Sequence, residues 1–258
     1  MCKVFDKKDI PQKIKLFCIP HAGGSASSFY SWFNLLENYI ELVPVELKGR
    51  GMRIDEPFYN NWEEAVDDIF KLLIGQIKNE PYAILGHSLG SWLLFDVLQK
   101  IYVEENQRPV KIFLSGNIPP HTCTKYDIIS SLPDKEFIDS ILNTGDIPRI
   151  IFENKELRSF YLPIFRSDYA LVEQYPHKQI EFKTDADIHV LYGREDSIEE
   201  AEMKEWEIYS EKGFFMKCFE GGHMFIFDQK VQVTKYLNDI LESFPRKKSE
   251  LSGDSIIC

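Results

Sequence analysis

One serine in this chain has neighbours that could make it a nucleophile. Ser88 lies at the centre of Gly86-His87-Ser88-Leu89-Gly90, between the apolar run "YAIL" and the amphipathic stretch "SWLLFDVL". A Gly-x-Ser-x-Gly between a strand and a helix is the nucleophile-elbow pattern, in which a strained turn lifts the hydroxyl above the sheet. Glycines suit it because strand and helix approach too closely there for a Cβ. The next amide, Leu89 N–H, opens the helix and can bind developing negative charge.

A serine hydroxyl is a weak nucleophile without a general base. Elbow enzymes place serine, acid and histidine in that chain order. His21 lies upstream, and His87 adjoins the serine and should point elsewhere. His121 and His177 fall in a segment without strands, and His189 sits inside "IHVLYG" as a packed core histidine. His223 remains, in "FEGGHMF", on a glycine-rich turn after the last strand. It is the expected base. The acid should come from a neighbouring strand end. "LYGREDSIEE" offers Glu195 and Asp196, with the choice leaning to Asp196, whereas Asp187 precedes the strand. Either acid also suits the start of the next helix. For a second oxyanion donor, the loop "PHAGGSASSF" after the first strand fits, with Ala22 N–H as donor. It has no Gly-Lys-Ser/Thr, so a phosphate loop is disfavoured. No cysteine and histidine spacing suggests zinc, so no metal is expected.

These residues need a frame. Strand patterns at 13–20, 40–47, 82–88, 110–116, 187–193 and 214–222 alternate with helical ones. That alternation predicts an α/β fold with a mainly parallel, doubly wound sheet in one domain spanning 1–258. Helical patterns are expected at "FYSWFNLLE", at 61–78 with Asn61 as N-cap and Glu64 in capping-box position, at 89–102, at 199–210 and at 229–243. Between the fourth and fifth strands, residues 118–184 carry helical patterns at "LPDKEFIDSILN" and "NKELRSFYLPIFRSDYALVEQY" and read as a lid over the sheet edge. The polar stretch 246–258 reads as a flexible tail.

The whole chain has 258 residues, 44% of them hydrophobic, with net charge −11 and five cysteines. The charge argues against nucleic-acid and anionic-membrane surfaces. No apolar run approaches the ~20 residues that span a bilayer. An unpaired cysteine count and an N-terminus without an apolar core lead to the expectation of free thiols and a cytoplasmic protein.

Several segments, in one order, resemble a known family: "FCIPHAGGSASSFYSW", "VELKGRGMRIDEP", "GHSLGSWLLFDV", "LPDKEFIDSILNTGDIP", "LPIFRSDYALVEQY", "LYGREDSIEEAEMKEW" and "FEGGHMFI". The chain is similar to the type II, editing thioesterases that accompany nonribosomal peptide and polyketide synthases. The resemblance implies an α/β-hydrolase fold, Ser88 as nucleophile, Asp196 as acid, His223 as base, and the Ala22 and Leu89 amides as oxyanion donors. Thioesterase domains fused to synthetases usually take their acid after the strand before the lid. Here that strand ends "LSGNIPPHT", without an acid, which favours the stand-alone type.

The resemblance further implies hydrolysis of acyl groups from the phosphopantetheine arm of carrier-protein domains, with no cofactor in the enzyme itself. A monomer is expected. A general carboxylesterase or lipase acting on free small-molecule esters is the alternative. Lys125, Lys135, Arg149, Lys155, Arg158 and Arg166 could meet an acidic carrier or simply form a solvated face.

Overall fold

The computed structural model describes residues 13–77, 79–122, 128–175 and 181–243. His177, Lys125 and the 246–258 tail lie outside them. The sheet has six strands: β1 (Ile14–Ile19), β2 (Ile40–Pro44), β3 (Tyr82–His87), β4 (Lys111–Ser115), β5 (Asp187–Gly193) and β6 (Phe214–Phe219). Their order is β2-β1-β3-β4-β5-β6 and every pairing is parallel. The chain leaves β1 for β2 on one side and returns to β3 on the other. Order therefore reverses beside β1, and the crevice at such a reversal is where α/β sheets bind ligands.

Strand side chains alternate between two cores. Phe17, Ile19, Ile84, Ile112 and Val190 join α1 (Trp62–Ile74) and α2 (Leu89–Glu104) on one face. Leu16, Cys18, Leu85 and Phe113 join Phe29, Trp32 and α7 (Lys230–Glu242) on the other. Burying each such side chain stabilises the fold by about 1.5–3 kcal/mol. With both faces covered, the strands carry the near-continuous apolar runs expected of a parallel sheet.

Helix α1 starts as expected. Asn61 Oδ1 accepts the Glu64 N–H at 2.8 Å. The reciprocal arm is shifted by one residue, because the Glu64 carboxylate takes the Asn60 N–H at 3.0 Å and pairs with Lys48 at 2.7 Å.

Two expected helices differ. "FYSWFNLLE" is reached by a 3-10 helix over Ala26–Trp32 and ends in turns. After α6 (Glu200–Lys204) the chain likewise tightens into a 3-10 helix over Glu205–Tyr209. The reason is periodic: Ala26, Phe29 and Trp32 recur every three residues, as do Met203, Trp206 and Tyr209, and all are buried. A period of three puts one face inward only when there are three residues per turn. Strand β2 also stops earlier than expected, at Pro44.

Between β4 and β5 lie α3 (Asp134–Leu142), α4 (Ile150–Glu153) and α5 (Lys155–Glu173), with Pro163 inside α5. They share a small core of Phe137, Ile138, Ile141, Phe152 and Phe165. Arg166 ties this segment together by donating to the Ser130 and Leu132 carbonyls and pairing with Asp134 at 2.8 Å.

Candidate active site

Ser88 sits at φ 56°, ψ −120°, a left-handed conformation that costs a non-glycine residue of order 1–3 kcal/mol. Close backbone packing and a few hydrogen bonds hold it there. A Cβ on Gly86 would lie 2.2 Å from Gly90 O, and one on Gly90 would lie 2.3 Å from Ile19 O. Ser88 N–H donates to Ser115 O at 2.7 Å, and Asn117 Nδ2 donates to Ser88 O at 3.0 Å. The Ser91 hydroxyl, fully buried, bridges the Gly86 and Ser115 carbonyls at 2.7 and 2.9 Å. The strained turn is thereby fixed from both adjoining strands.

The histidine and acid loops leave β6 and β5 side by side. Glu195 N–H donates to Gly221 O at 3.0 Å, and Gly193 packs so closely that a Cβ there would lie 2.4 Å from Gly222 O. This backbone contact brings His223 over Ser88, with Nε2 2.9 Å from Oγ. On the other side Nδ1 is 3.0 Å from Asp196 Oδ2. The Asp196 side chain is 1% exposed and that of His223 22%. Glu195 faces solvent. Asp187 pairs with Lys111 at the start of β5, at 2.5 Å, at the opposite sheet edge.

Burial disfavours a charged His223. The hydrogen bond and charge of Asp196, with a contribution from Asp146, outweigh it and hold the imidazole above its usual 6.5. The other buried histidines are pushed the opposite way. His21 falls to about 3, through burial and then the charges of His223 and Arg50. His87 is held well below its ordinary value by burial, then His223 and His21. His87 points inward beneath the site, its ring 5.2 Å from that of His223 and its Nδ1 3.0 Å from Ser115 Oγ. His189 is the packed core histidine expected, stacked on Phe215 and bonded to the Tyr236 hydroxyl at 2.8 Å.

Ala22 and Leu89 border the same cavity as Ser88 and His223, and neither amide has a backbone acceptor among the described residues. The cavity measures about 1130 Å³ and is roofed by α3–α5 through Ile147, Ile151, Tyr161, Phe165 and Tyr169.

Sequence reasoning missed one feature of this wall. Arg50 and Asp168 form a two-pronged ion pair at 2.6 and 2.7 Å, with side chains 2% and 0% exposed. Asp168 also accepts the Gly23 N–H at 2.7 Å, and Arg50 donates to Gly24 O at 3.0 Å. The Phe165 ring, one turn earlier on α5, lies against the Cα of Gly23. The roof helix thus grips the loop that carries Ala22. The signal lay in two segments, "KGRG" and "FRSDY", with nothing local to join them.

Among the described residues no group of histidine, cysteine or acidic side chains could hold a metal ion, and no helix is long and apolar enough to cross a membrane.

Comparisons with known proteins converge. The thioesterase domain family model matches residues 14–241. Gramicidin S biosynthesis protein GrsT of Aneurinibacillus migulanus is 30% identical over 227 residues, covering 87% of this chain and 88% of that protein. The medium-chain S-acyl fatty acid synthase thioesterase of Rattus norvegicus is 26% identical over 236 residues, 88% of each chain. The crystal structure of ClbQ from the colibactin NRPS/PKS pathway superposes with a TM-score of 0.85 at 33% identity, over 90% of this chain and 98% of that one. With a parallel α/β sheet, a serine on the tight turn between β3 and α2 and a family match running over residues 14–241, the chain belongs to the thioesterase family and is a thioester hydrolase.

Proposed function

We propose that this thioesterase frees acyl groups from the phosphopantetheine arms of carrier domains, clearing misprimed or stalled modules of nonribosomal peptide or polyketide synthases. The observation that carries the reading is the relay from Ser88 through His223 to Asp196 at the floor of a cavity roofed by α3–α5. The likeness to a gramicidin S biosynthesis protein and to a colibactin-pathway protein supports the setting.

In this mechanism Ser88 Oγ attacks the thioester carbonyl while His223 Nε2 takes its proton. Asp196 orients the ring and stabilises the imidazolium. The Ala22 and Leu89 amides bind the oxyanion of the tetrahedral intermediate. Collapse breaks the C–S bond, and His223 returns the proton to the departing pantetheine thiolate. Water, deprotonated by the same histidine, then attacks the acyl-serine; the bond from the acyl carbon to Ser88 Oγ breaks, and His223 returns the proton to Oγ. The sum is thioester plus water giving acid plus thiol. The pantetheine arm belongs to the carrier.

The α3–α5 segment acts as the lid that admits the arm. Its cations divide into two groups. Arg166 and Arg158 are engaged by Asp134, at 2.8 and 3.7 Å. Lys135, Arg149 and Lys155 have no ion-pair partner among the described residues and remain available to an acidic carrier.

Two experiments test the reading. Intact-mass spectrometry should detect an acyl adduct with wild type and none with Ser88→Ala, whose turnover should fall by roughly 10⁴–10⁶. The kcat/KM for an acyl carrier protein should far exceed that for the same acyl group on a short pantetheine, decline with salt, and drop in Lys155→Glu. Equal efficiency on both substrates with no salt effect would favour a general esterase instead.

A further inference from the structure

The exit of β4 touches more of the machinery than the relay itself requires. Ser115 O accepts the Ser88 N–H at 2.7 Å. Gly116, at φ +60°, lies against two histidines, since a Cβ there would stand 2.7 Å from His87 Cε1 and 3.4 Å from His223 Cε1. Asn117, 8% exposed, then reaches back to the elbow, with Nδ2 donating to Ser88 O at 3.0 Å. Its own orientation is fixed on two sides. Oδ1 accepts the Ile118 N–H at 2.9 Å, which leaves the amide nitrogen to face Ser88, and Asn117 O accepts the Trp206 indole N–H at 2.8 Å. Nothing in the relay from Ser88 to Asp196 uses this side chain.

Ser88 O and Leu89 N belong to one planar trans peptide, in which C=O and N–H point in opposite directions. Whatever holds the oxygen therefore aims the amide. Ser88 O has two donors, Asn117 Nδ2 and the Ser91 N–H at 2.9 Å. The Ser91 amide belongs to the first turn of α2 and moves with it. Asn117 comes from another strand and fixes the peptide relative to the sheet. Strand order supplies the direction, because β3 lies between β1 and β4. With the oxygen drawn to the β4 side, the Leu89 N–H is turned toward the β1 side, where the loop after β1 carries Ala22. Ser88 itself, at φ 56°, keeps its strained conformation only while its surroundings over-determine it.

We propose that Asn117 is a positioning residue for the oxyanion hole, holding the Ser88–Leu89 peptide so that the Leu89 and Ala22 amides converge on the developing oxyanion. The inference rests on the thioesterase reading above and adds a residue to its machinery. Asn117 touches no reacting atom and acts through the peptide it holds. The oxyanion exists only in the tetrahedral intermediate and the transition states beside it, so the effect falls there and spares substrate binding.

The test uses two variants. Asn117→Asp keeps an acceptor for the Ile118 N–H and loses only the proton given to Ser88 O. Asn117→Ser is neutral and too short to reach that oxygen. Kinetics are measured on whichever of acetyl, butyryl and octanoyl pantetheine wild type hydrolyses fastest. Removing an oxyanion donor costs about 10²–10³ in kcat, so a donor left in place but misaimed should cost about 10–100-fold. The fall should appear equally in kcat and kcat/KM, with KM within about threefold of wild type. A second readout separates this from a merely structural role. With hexyl trifluoromethyl ketone, Ser88 Oγ bonds to the carbonyl carbon, its proton passes to His223, and the carbonyl oxygen becomes an oxyanion. The octanoyl amide of aminopantetheine binds without reaction. The ratio of the two inhibition constants should shift against the ketone by about tenfold in both variants, and a misfolded fraction leaves that ratio unmoved. A ratio within about twofold of wild type in both variants, or a shift in Asn117→Asp alone (an effect of its charge), overturns the inference and leaves the thioesterase reading intact. Absence of turnover of all three thioesters by wild type overturns both.

Discussion

Replacing Asp168 by Asn removes one charge and almost no volume, so its effect can be worked from the surroundings of that carboxylate. Arg50 is 2% exposed and has no other carboxylate within ion-pair distance among the described residues. Burial works against its charge, and Asp168 more than compensates. Breaking a buried pair by removing one partner costs about 3–5 kcal/mol, because the remaining charge has no water to return to. Asn can still accept one hydrogen bond, from Arg50 or from Gly23 but not both at full strength. The expected loss is therefore at the low end, about 3 kcal/mol. At ~2–4 °C per kcal/mol for a chain of this size, Tm should fall by roughly 6–12 °C. Thermal unfolding followed by circular dichroism, with urea titration as a check, reads this directly. A second variant separates stability from catalysis. Arg50→Met with Asp168→Leu removes both charges and should recover stability to within about 1 kcal/mol of wild type. Its kcat should stay at least tenfold low, since nothing then holds the Gly23 N–H and the Ala22 amide beside it. A Tm change below ~2 °C in Asp168→Asn would refute the energetic reasoning. Full activity in the double variant would refute the link between the roof helix and the oxyanion loop.

Three further outcomes are expected. Asp196→Asn should lower kcat by about 10⁴, as for the corresponding acid of a serine protease, while Glu195→Gln stays within about threefold; steady-state kinetics on one thioester decides between them. The acid limb of kcat/KM should titrate above 6.5, because the base must be neutral and Asp196 favours its protonated form. In Asp196→Asn that limb should move to lower pH, and a limb unmoved by the substitution would contradict the coupling. Gly90→Ala should cost at least about 3 kcal/mol, since its Cβ would meet the Ile19 and Pro20 carbonyls at 2.3 and 2.7 Å and backbone cannot step aside. Urea midpoints compare it with Gly145→Ala, which has open space and only an unfavourable φ of +81° and so should lose about 1 kcal/mol.

What could be read from the chain follows how local each signal is. The elbow is five consecutive residues with a strand before and a helix after, and its glycines are required by contacts within that same stretch and the end of β1. His223 was accessible by eliminating five other histidines on chain order and strand position. Asp196 and Glu195 are adjacent, so only the course of the turn separates them, and the turn is set by contacts with Gly221 and Gly222 on another strand. The Arg50–Asp168 pair joins positions 118 residues apart, and no periodicity marks either partner. Asp146 looks like any polar loop residue until the roof is folded over the site. The 3-10 turns were legible in principle, in the three-residue recurrence of Ala26, Phe29 and Trp32, but a short apolar repeat fits an α-helix nearly as well.

The close approach of Gly90 to the end of β1 has a consequence for how this enzyme can change. The first turn of α2 rests on the Ile19 and Pro20 carbonyls, two residues before Ala22, so one backbone-to-backbone contact gauges the spacing between the Leu89 and Ala22 amides. Apart from the Arg50–Asp168 clamp on Gly23 and Gly24 and the Asn117 contact with Ser88 O, side-chain turnover elsewhere in the molecule does not enter that measurement. The roof, by contrast, borders the cavity with residues of varied kind, Asp146, Ile151, Tyr161 and Phe165 among them. Substitution there, away from Asp168 and Phe165, can alter the cavity while the spacing of the Leu89 and Ala22 amides stays as it is. Descendants of this sequence thus have two evolutionary clocks within a few ångströms of each other, one nearly stopped at the elbow and one free to run in the roof.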